Sequence, residues 1–366
     1  MSTERVQTLS STTIRQLPAR FVRLPHEQPA NSKAIDGVTV PVISLAGPSS
    51  GVVDQIRRAC SEWGFFLATD HGIPGSLIER LKEVGIEFFK LPQAEKEKLA
   101  NDHLAGDLEG YGTKMTKNHE EKVEWIDYYF HLMSPASKVR HEKWPHHPPS
   151  YRKVTEEYNR EMLRMTEELL GMLSEGLGLE KGAMRKCLGG DDIELEMKIN
   201  FYPPCPQPEL ALGVEPHTDM SALTILVTND VPGLQVWKDG NWVAVHYDIP
   251  HALFVHVGDQ IEVRRLQSIQ ALEYMYNACV CMDHGHGRNG NACMQVLSNG
   301  KYKGVLHRSL VNREKTRMSW AVFTAPQHEA TIGPIPELID DQNPPKYTAR
   351  TFAEFRYRKF NKLPLN

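Results

Sequence analysis

The sequence predicts a mainly β protein with flanking helices, in which an α/β opening and one long helix precede a sandwich or closed jelly-roll barrel. Three observations carry that expectation. From about Glu194 the chain breaks into short β-rich runs separated by Pro, Gly, Asn and Asp, the texture of strands joined by turns. Before them, Val154, Tyr158, Met162, Met165, Leu169 and Leu173 recur at helical intervals with charges between, which marks one long amphipathic scaffold helix. Earlier still, two apolar runs flank an amphipathic segment between Val38 and Pro74, an α/β pattern.

In chain order, residues 1–35 are polar and punctuated, with a short helix expected near "TTIRQLPARFV". "VTVPVISL" reads as a strand, "SGVVDQIRRACSEWG" as a helix, and "FFLATDHGIP" as a second strand closed by Gly72 and Pro74. "GSLIERLKEVGIEFFKLP" and the charged "QAEKEKLA" are helical, "LAGDLEGYGTK" is a polar connection, and "VEWIDYYFHLM" is a strand rich in β-branched and aromatic residues. Beyond the scaffold helix, "EMKINFYPP", "VEPHTDM", "ALTILVTN", "GLQVWKDGNWVAV", "HALFVHVGD", "YKGVLHRSL" and "RMSWAVF" read as strands, with Asp239-Gly240 as a hairpin turn. The tail "TARTFAEFRYRKFNKLPLN" is helical until Pro364. These divisions give an N-terminal α/β region with its scaffold helix over 1–190, a β core over 191–330 and a helical tail over 331–366.

A chain of 366 residues, 40% of them hydrophobic, can bury a sizeable core. The net charge of -4 and the scattered lysines and arginines form no basic stripe, so nucleic acid is not an expected partner. No run approaches the roughly 18 apolar residues of a membrane helix. The start, "MSTERVQTLSSTTIRQLP", has neither an apolar h-region nor an Arg-rich amphipathic run, and a cytoplasmic protein is expected. The 6 cysteines do not read as a disulfide framework in a chain of this size.

The chemistry gathers around "GVEPHTDMSALTILV". In an extended strand His217 and Asp219 project to one face while Thr218 turns away, which brings two metal-ligand types together. With 16 histidines in the chain such a pair also arises by chance and then makes an ordinary hydrogen bond. His307 in "YKGVLHRSL" offers a third ligand; its bland reading is a core histidine. Two histidines and a carboxylate form the facial triad suited to non-haem Fe(II), leaving three adjacent positions open. Arg317 and Ser319 share one face of "RMSWAVF", a guanidinium and a hydroxyl fit to hold a carboxylate. Lys198, Asn200 and Tyr202 likewise share one face of "EMKINFYPP": Tyr202 can donate to that carboxylate and Lys198 can reach a substrate oxygen. Alone, that strand reads as a half-buried sheet face with a snorkelling lysine.

His-Thr-Asp, a distant His, Arg-x-Ser and an upstream Asn-x-Tyr together resemble the plant 2-oxoglutarate and Fe(II)-dependent dioxygenases. "GFFLATDHGIP", "NFYPPCPQPELALGV" and "PGLQVWKDGNWVAV" extend the resemblance from about Pro41 to the C-terminus, one segment apart. "GYGTK", "SNGKYKGVLHRSLVN" and "FRYRKFNKLPL" make the chain look most like the flavonol synthases, with the anthocyanidin synthases close. The resemblance implies a double-stranded β-helix (jelly-roll) core with iron on His217, Asp219 and His307. It implies 2-oxoglutarate on Arg317, Ser319 and Tyr202, and a flavonoid on Tyr128, Phe130, Lys198 and Phe323, aromatic residues suiting a flat polyphenol. Tyr128 departs toward anthocyanidin synthase, where flavonol synthases often carry a histidine, and Ala325 replaces a frequent glutamate. The implied reaction couples oxidative decarboxylation of 2-oxoglutarate by dioxygen to formation of the C2–C3 double bond of a dihydroflavonol. Ascorbate would serve as reductant, and the enzyme would act as a cytoplasmic monomer.

One segment resembles nothing in that family: residues 263–295, "VRRLQSIQALEYMYNACVCMDHGHGRNGNACMQ". Asp219 and His307 stand 88 positions apart, and without these 33 residues the spacing is 55, close to the family's usual value. Cys279, Cys281, His284, His286 and Cys293 suggest a zinc site, but their spacings match no standard finger. An evolved surface loop is a second reading. The sharp edges, the unrelated composition, a Val-Arg start that splice-donor bases can encode and a Gln end that acceptor bases can encode favour a retained intron translated in frame. A catalytically impaired splice isoform is then the alternative to an active enzyme.

Overall fold

An eight-stranded sheet and a four-stranded sheet enclose an apolar interior, and helices pack on the outer face of the larger sheet. This computed structural model describes residues 4–12, 14–35, 37–47, 49–102, 105–113, 122–246, 248–258 and 296–360. The segment 263–295, with its retained-intron and zinc-site readings, lies outside the described residues.

The helices are α1 (Val6–Ser11), α2 (Ser49–Glu62), α3 (Gly75–Lys90), α4 (Gln93–Glu97), α5 (Tyr151–Gly176), α6 (Ala183–Cys187) and α7 (Phe352–Phe360). The strands are β1 (Val42–Ser44), β2 (Phe65–Thr69), β3 (Gly110–Thr113), β4 (Asp127–Ser134), β5 (Glu194–Tyr202), β6 (Val214–His217) and β7 (Leu223–Thr228). They continue as β8 (Leu234–Lys238), β9 (Asn241–Ala244), β10 (Leu253–Val257), β11 (His307–Ser309), β12 (Arg317–Ala325), β13 (Thr331–Ile332) and β14 (Arg350–Thr351). The larger sheet runs β1-β2-β10-β7-β12-β5-β4-β3 and the smaller β6-β11-β8-β9; β13 and β14 pair separately. All pairings are antiparallel except β1 with β2.

Period-two alternation sorts the larger sheet into two faces. Met318, Trp320 and Val322 of β12, Leu195, Met197 and Ile199 of β5, and Ile225 and Val227 of β7 point outward into one cluster with apolar residues of α2, α3 and α5. Ala321, Leu226 and Phe254 point inward and meet Leu234, Val236, Val243 and Val245 from β8, β9 and the turn after it. In α5, Val154, Tyr158, Met162, Met165, Leu169 and Leu173 are all buried, as their spacing requires. Each such side chain contributes about 1.5–3 kcal/mol by leaving water, so packing rather than local propensity holds this helix. At Gly85 a Cβ would lie 2.5 Å from Trp320 Nε1, and only glycine lets α3 settle this closely on β12. Asp239 and Gly240 both have positive φ (47° and 86°) in the β8–β9 turn, the conformation an Asp-Gly hairpin favours.

Several local expectations shift. The N-terminal helix sits at Val6–Ser11, before the stretch predicted, which holds only a short 3-10 turn at Ala19–Phe21 behind Pro18. "VTVPVISL" pairs as a strand only over Val42–Ser44, after Pro41, which has no N–H to donate. The expected polar connection contains a strand, β3, whose Tyr111 lies opposite Tyr129 of β4. Among the described residues no helix is long and apolar enough to cross a membrane.

Candidate metal centre and active site

β6 and β11 run antiparallel with His217 directly opposite His307, their ring centroids 4.2 Å apart. β6 ends at His217, so Asp219 is not on the strand as alternation predicts; it lies in the irregular segment just beyond, and its carboxylate still converges on both rings. His217 Nε2 is 3.6 Å and His307 Nε2 3.8 Å from Asp219 Oδ1. The three ligand atoms all lie within 4.8 Å of one another, a span one divalent cation bridges.

The backbone fixes which ring nitrogen faces inward. His217 Nδ1 lies 2.8 Å from the Glu215 carbonyl and His307 Nδ1 3.0 Å from the Val305 carbonyl. A carbonyl only accepts, so each Nδ1 carries the proton and each Nε2 presents a lone pair to the centre. Burial, reinforced by His217, pushes the pKa of His307 down to about 3, which keeps it neutral. Burial works to raise the pKa of Asp219, yet His307, His217 and His256 together hold it well below the usual carboxylate range. Two imidazoles and one carboxylate are the donor set of a 2-His-1-carboxylate iron site.

Nothing in the local sequence marks His256, because on a buried strand it reads as any core histidine. It is 1% exposed on β10, with Nδ1 3.6 Å from Asp219 Oδ2 and its ring 4.7 Å from that of His307. Asp219 Oδ2 and both His256 nitrogens have no hydrogen-bond partner among the described residues. The only signal in the sequence is alternation, which puts His256 on the inward face with Phe254.

Strand registers arrange the remaining candidates in rows on the inner face of the larger sheet, since directly opposed residues share a face. Thr228, Ser319, Asn200 and Tyr128 form one row across β7, β12, β5 and β4. Leu226, Ala321, Lys198 and Phe130 form the next, and Thr224, Phe323, Glu196 and Leu132 the third, which His256 begins from β10. Below the first row, Arg317 lies opposite Tyr202.

Arg317 is 1% exposed, with its guanidinium 4.9 Å over the Tyr202 ring and Nη1 3.4 Å from Ser309 Oγ. Asn200 Nδ2 donates to Ser319 Oγ at 3.2 Å. Gly233 makes room for the guanidinium arm, since a Cβ there would lie 2.8 Å from Arg317 Cδ. A buried cation ringed by the hydroxyls of Ser309, Ser319 and Tyr202 is matched to an anionic carboxylate. At the other end, Lys198 Nζ stands 4.5 Å over the Tyr128 ring, whose hydroxyl is 3.1 Å from Asn101 Nδ2. Phe130 borders an open cavity of about 370 Å³. Every predicted site residue thus falls on one of two facing surfaces: the triad on the β6/β11 side, the others on the inner face of the larger sheet.

Comparison with known proteins places this arrangement. Residues 194–326 match the 2OG-Fe(II) oxygenase superfamily, and residues 40–151 match the N-terminal family described as non-haem dioxygenase in morphine synthesis. The chain is 46% identical to a flavonol synthase/flavanone 3-hydroxylase of Arabidopsis thaliana over the whole of both chains. It is 39% identical to a leucoanthocyanidin dioxygenase of Perilla frutescens, covering 98% of this chain and 94% of that one. The crystal structure of JOX2 in complex with 2OG, Fe and JA superposes with a TM-score of 0.83 at 33% identity, covering 100% of this chain and 95% of that one.

Proposed function

The chain belongs to the 2OG-Fe(II) oxygenase superfamily and is a 2-oxoglutarate- and Fe(II)-dependent dioxygenase, and within that class we propose that it is a flavonol synthase, desaturating dihydroflavonols to flavonols. The overall reaction converts dihydroflavonol, 2-oxoglutarate and dioxygen to flavonol, succinate, carbon dioxide and water. Full-length identity to a flavonol synthase/flavanone 3-hydroxylase is the observation that carries the reading; the lysine and aromatic residues on the inner face of the larger sheet agree with it.

His217, Asp219 and His307 would hold iron, which when bound would supply the activation of dioxygen, the oxidant for both substrates. The protein's own contribution is placement. Arg317, Ser319 and Tyr202 would grip the distal carboxylate of 2-oxoglutarate, fixing its keto acid end toward the triad. Tyr128, Phe130 and Phe323 would stack on the flat flavonoid, and Lys198 would donate to one of its oxygens. Burial of Asp219 and His307 keeps water from that side of the site, while His217, its side chain 36% exposed, stands at the open side. Ascorbate as reductant, a monomeric state and a cytoplasmic location complete the proposal.

Tyr128, lying under Lys198, favours a second reading as an anthocyanidin synthase or related flavonoid oxygenase. The segment 263–295, inserted between β10 and β11, favours an impaired splice isoform, because β11 delivers His307. Succinate and flavonol formation from dihydroquercetin with Fe(II), 2-oxoglutarate and ascorbate tests all three, on this chain and on one lacking 263–295. Turnover to quercetin by the full chain is expected. Turnover only by the shortened chain identifies the impaired isoform, and none by either refutes the flavonol synthase reading.

A further inference from the structure

The open cavity beside Phe130 continues the substrate face outward, and its lining adds charged residues to apolar ones. Leu132, Glu196, His328 and Arg356 border it. Glu196 stands in the same sheet row as Phe323 and Leu132, and that row begins at His256, 3.6 Å from the carboxylate of Asp219. Three inter-strand spacings, roughly 14 Å, therefore separate the strand beside the metal ligands from the strand carrying Glu196, with Phe323 between. That is the reach of a three-ring scaffold lying on Phe323 with its reacting ring at the triad.

Glu196 is also the inward carboxylate left with accepting capacity. Its neighbour Glu194 is taken up by Lys138 Nζ at 2.7 Å. Arg356 Nη1 is 3.6 Å from Glu196 Oε1, longer than a hydrogen bond, while the same nitrogen is 3.2 Å from His328 Nε2. The Glu196 side chain keeps 17% of its surface exposed. Burial raises its pKa, and Arg356 counters that shift.

Resting on the flavonoid reading above, we propose that Glu196 is a specificity-determining residue that accepts hydrogen bonds from hydroxyl groups on the substrate ring remote from the reacting carbons. A carboxylate accepting from a phenol makes a charge-assisted bond, about twice as strong as a neutral one. In a partly desolvated cavity such a bond is worth about tenfold or more in discrimination. The chain would thus favour substrates in proportion to the hydroxylation of that ring.

The test measures kcat/KM for three dihydroflavonols carrying no, one or two hydroxyls on the remote ring, with wild type, Glu196→Gln and Glu196→Leu. Thermal melts confirm that the variants fold, and the isosteric glutamine gives a second measurement if leucine disturbs the sheet. The expected result is a wild-type preference of about tenfold or more for the dihydroxylated compound over the unsubstituted one, falling to within about twofold in Glu196→Leu and in between in Glu196→Gln. An unchanged ratio in both variants, or no preference in the wild type, overturns the proposal. If the wild type turns over none of the three, the flavonol synthase reading fails instead. Tryptophan-fluorescence titration of the same compounds, anaerobically on the Fe(II)- and 2-oxoglutarate-loaded protein, then decides Glu196 separately. Hydroxyl-dependent binding that Glu196→Leu removes supports it, and hydroxyl-independent or absent binding overturns it.

Discussion

His217 and His307 face each other across the β6–β11 ladder, and each ring is locked by a backbone carbonyl two residues before it, Glu215 for one and Val305 for the other. The same local device, repeated on two antiparallel strands, aims both Nε2 atoms at Asp219 before any metal arrives. Such preorganisation makes the metal-free protein a ready ligand set, so Co(II) or Fe(II) should raise its melting temperature. Asp219→Asn removes the only charge among the three ligands. We expect it to weaken Co(II) binding, followed by visible absorption, by more than about 100-fold, because even partners outside the ligand set account for 10–100-fold. Retention of wild-type affinity would remove Asp219 from the metal site.

His256 packs against Asp219 Oδ2 and should orient that carboxylate. His256→Leu is expected to lower Co(II) affinity by about 10–100-fold, and His256→Asn, which keeps an N–H donor, to recover much of it. Equal losses in both variants would reduce His256 to a packing role.

Arg317 should set the affinity for 2-oxoglutarate. Arg317→Lys loses the planar fork, so KM for 2-oxoglutarate should rise about tenfold or more with less effect on kcat, since a charged hydrogen bond is worth about 1.5–3 kcal/mol. Gly233→Ala reaches the same side chain from outside: its Cβ would collide with Arg317 Cδ. A higher 2-oxoglutarate KM with Co(II) affinity intact is the expected signature, and steady-state kinetics beside a metal titration checks it.

Both halves of this site were legible because period-two alternation survives in any strand. Lys198, Asn200 and Tyr202 do share a face, as do Arg317, Ser319 and Phe323. What alternation could not supply is which strand lies beside which. His256 and Glu196 acquire meaning only from the β10-β7-β12-β5 order, and β3 is invisible locally because Gly110 and Gly112 have no strand propensity and gain theirs from pairing with β4. Asp219 shows the opposite case: the expected geometry is reached although the strand stops at His217.

Acid should weaken the fold through His131. This ring is 0% exposed, its Nε2 2.9 Å from the Tyr151 hydroxyl and its face 4.6 Å from Trp144, and burial pushes its pKa from 6.5 down to about 4. Above pH 6.5 neither folded nor unfolded chain protonates it. As pH falls below that value the unfolded chain takes up a proton that the folded chain refuses, and stability declines until about pH 4. The shift corresponds to about 3 kcal/mol. Urea unfolding of wild type and His131→Gln at a series of pH values checks this, the variant being expected to lose that part of the slope.

The N-terminal helix is tied to β4, the strand of the proposed flavonoid contacts, by a buried carboxylate. Asp127 Oδ1 accepts from Val6 N–H at 3.1 Å and Oδ2 from Gln7 N–H at 2.7 Å, with the Thr113 hydroxyl donating as a third partner. Arg5 adds a two-pronged ion pair to Glu97, both contacts at 2.8 Å. Asp127 is 0% exposed and immediately precedes Tyr128 on β4, so whatever loosens α1 loosens the start of the strand that carries Tyr128 and Phe130. Asp127→Ala takes the acceptor from the buried Val6 N–H and the half-buried Gln7 N–H, at about 1–3 kcal/mol for a buried group left unmade. We expect a loss of about 2–5 kcal/mol in urea unfolding together with a raised KM for the flavonoid, and little change in KM for 2-oxoglutarate, whose proposed grip lies on β12. Arg5→Ala should be milder, about 1 kcal/mol or less, because Glu97 is 40% exposed and water takes the place of the lost partner. Equal stability losses in the two variants would mean that the surface ion pair, rather than Asp127, holds α1 in place.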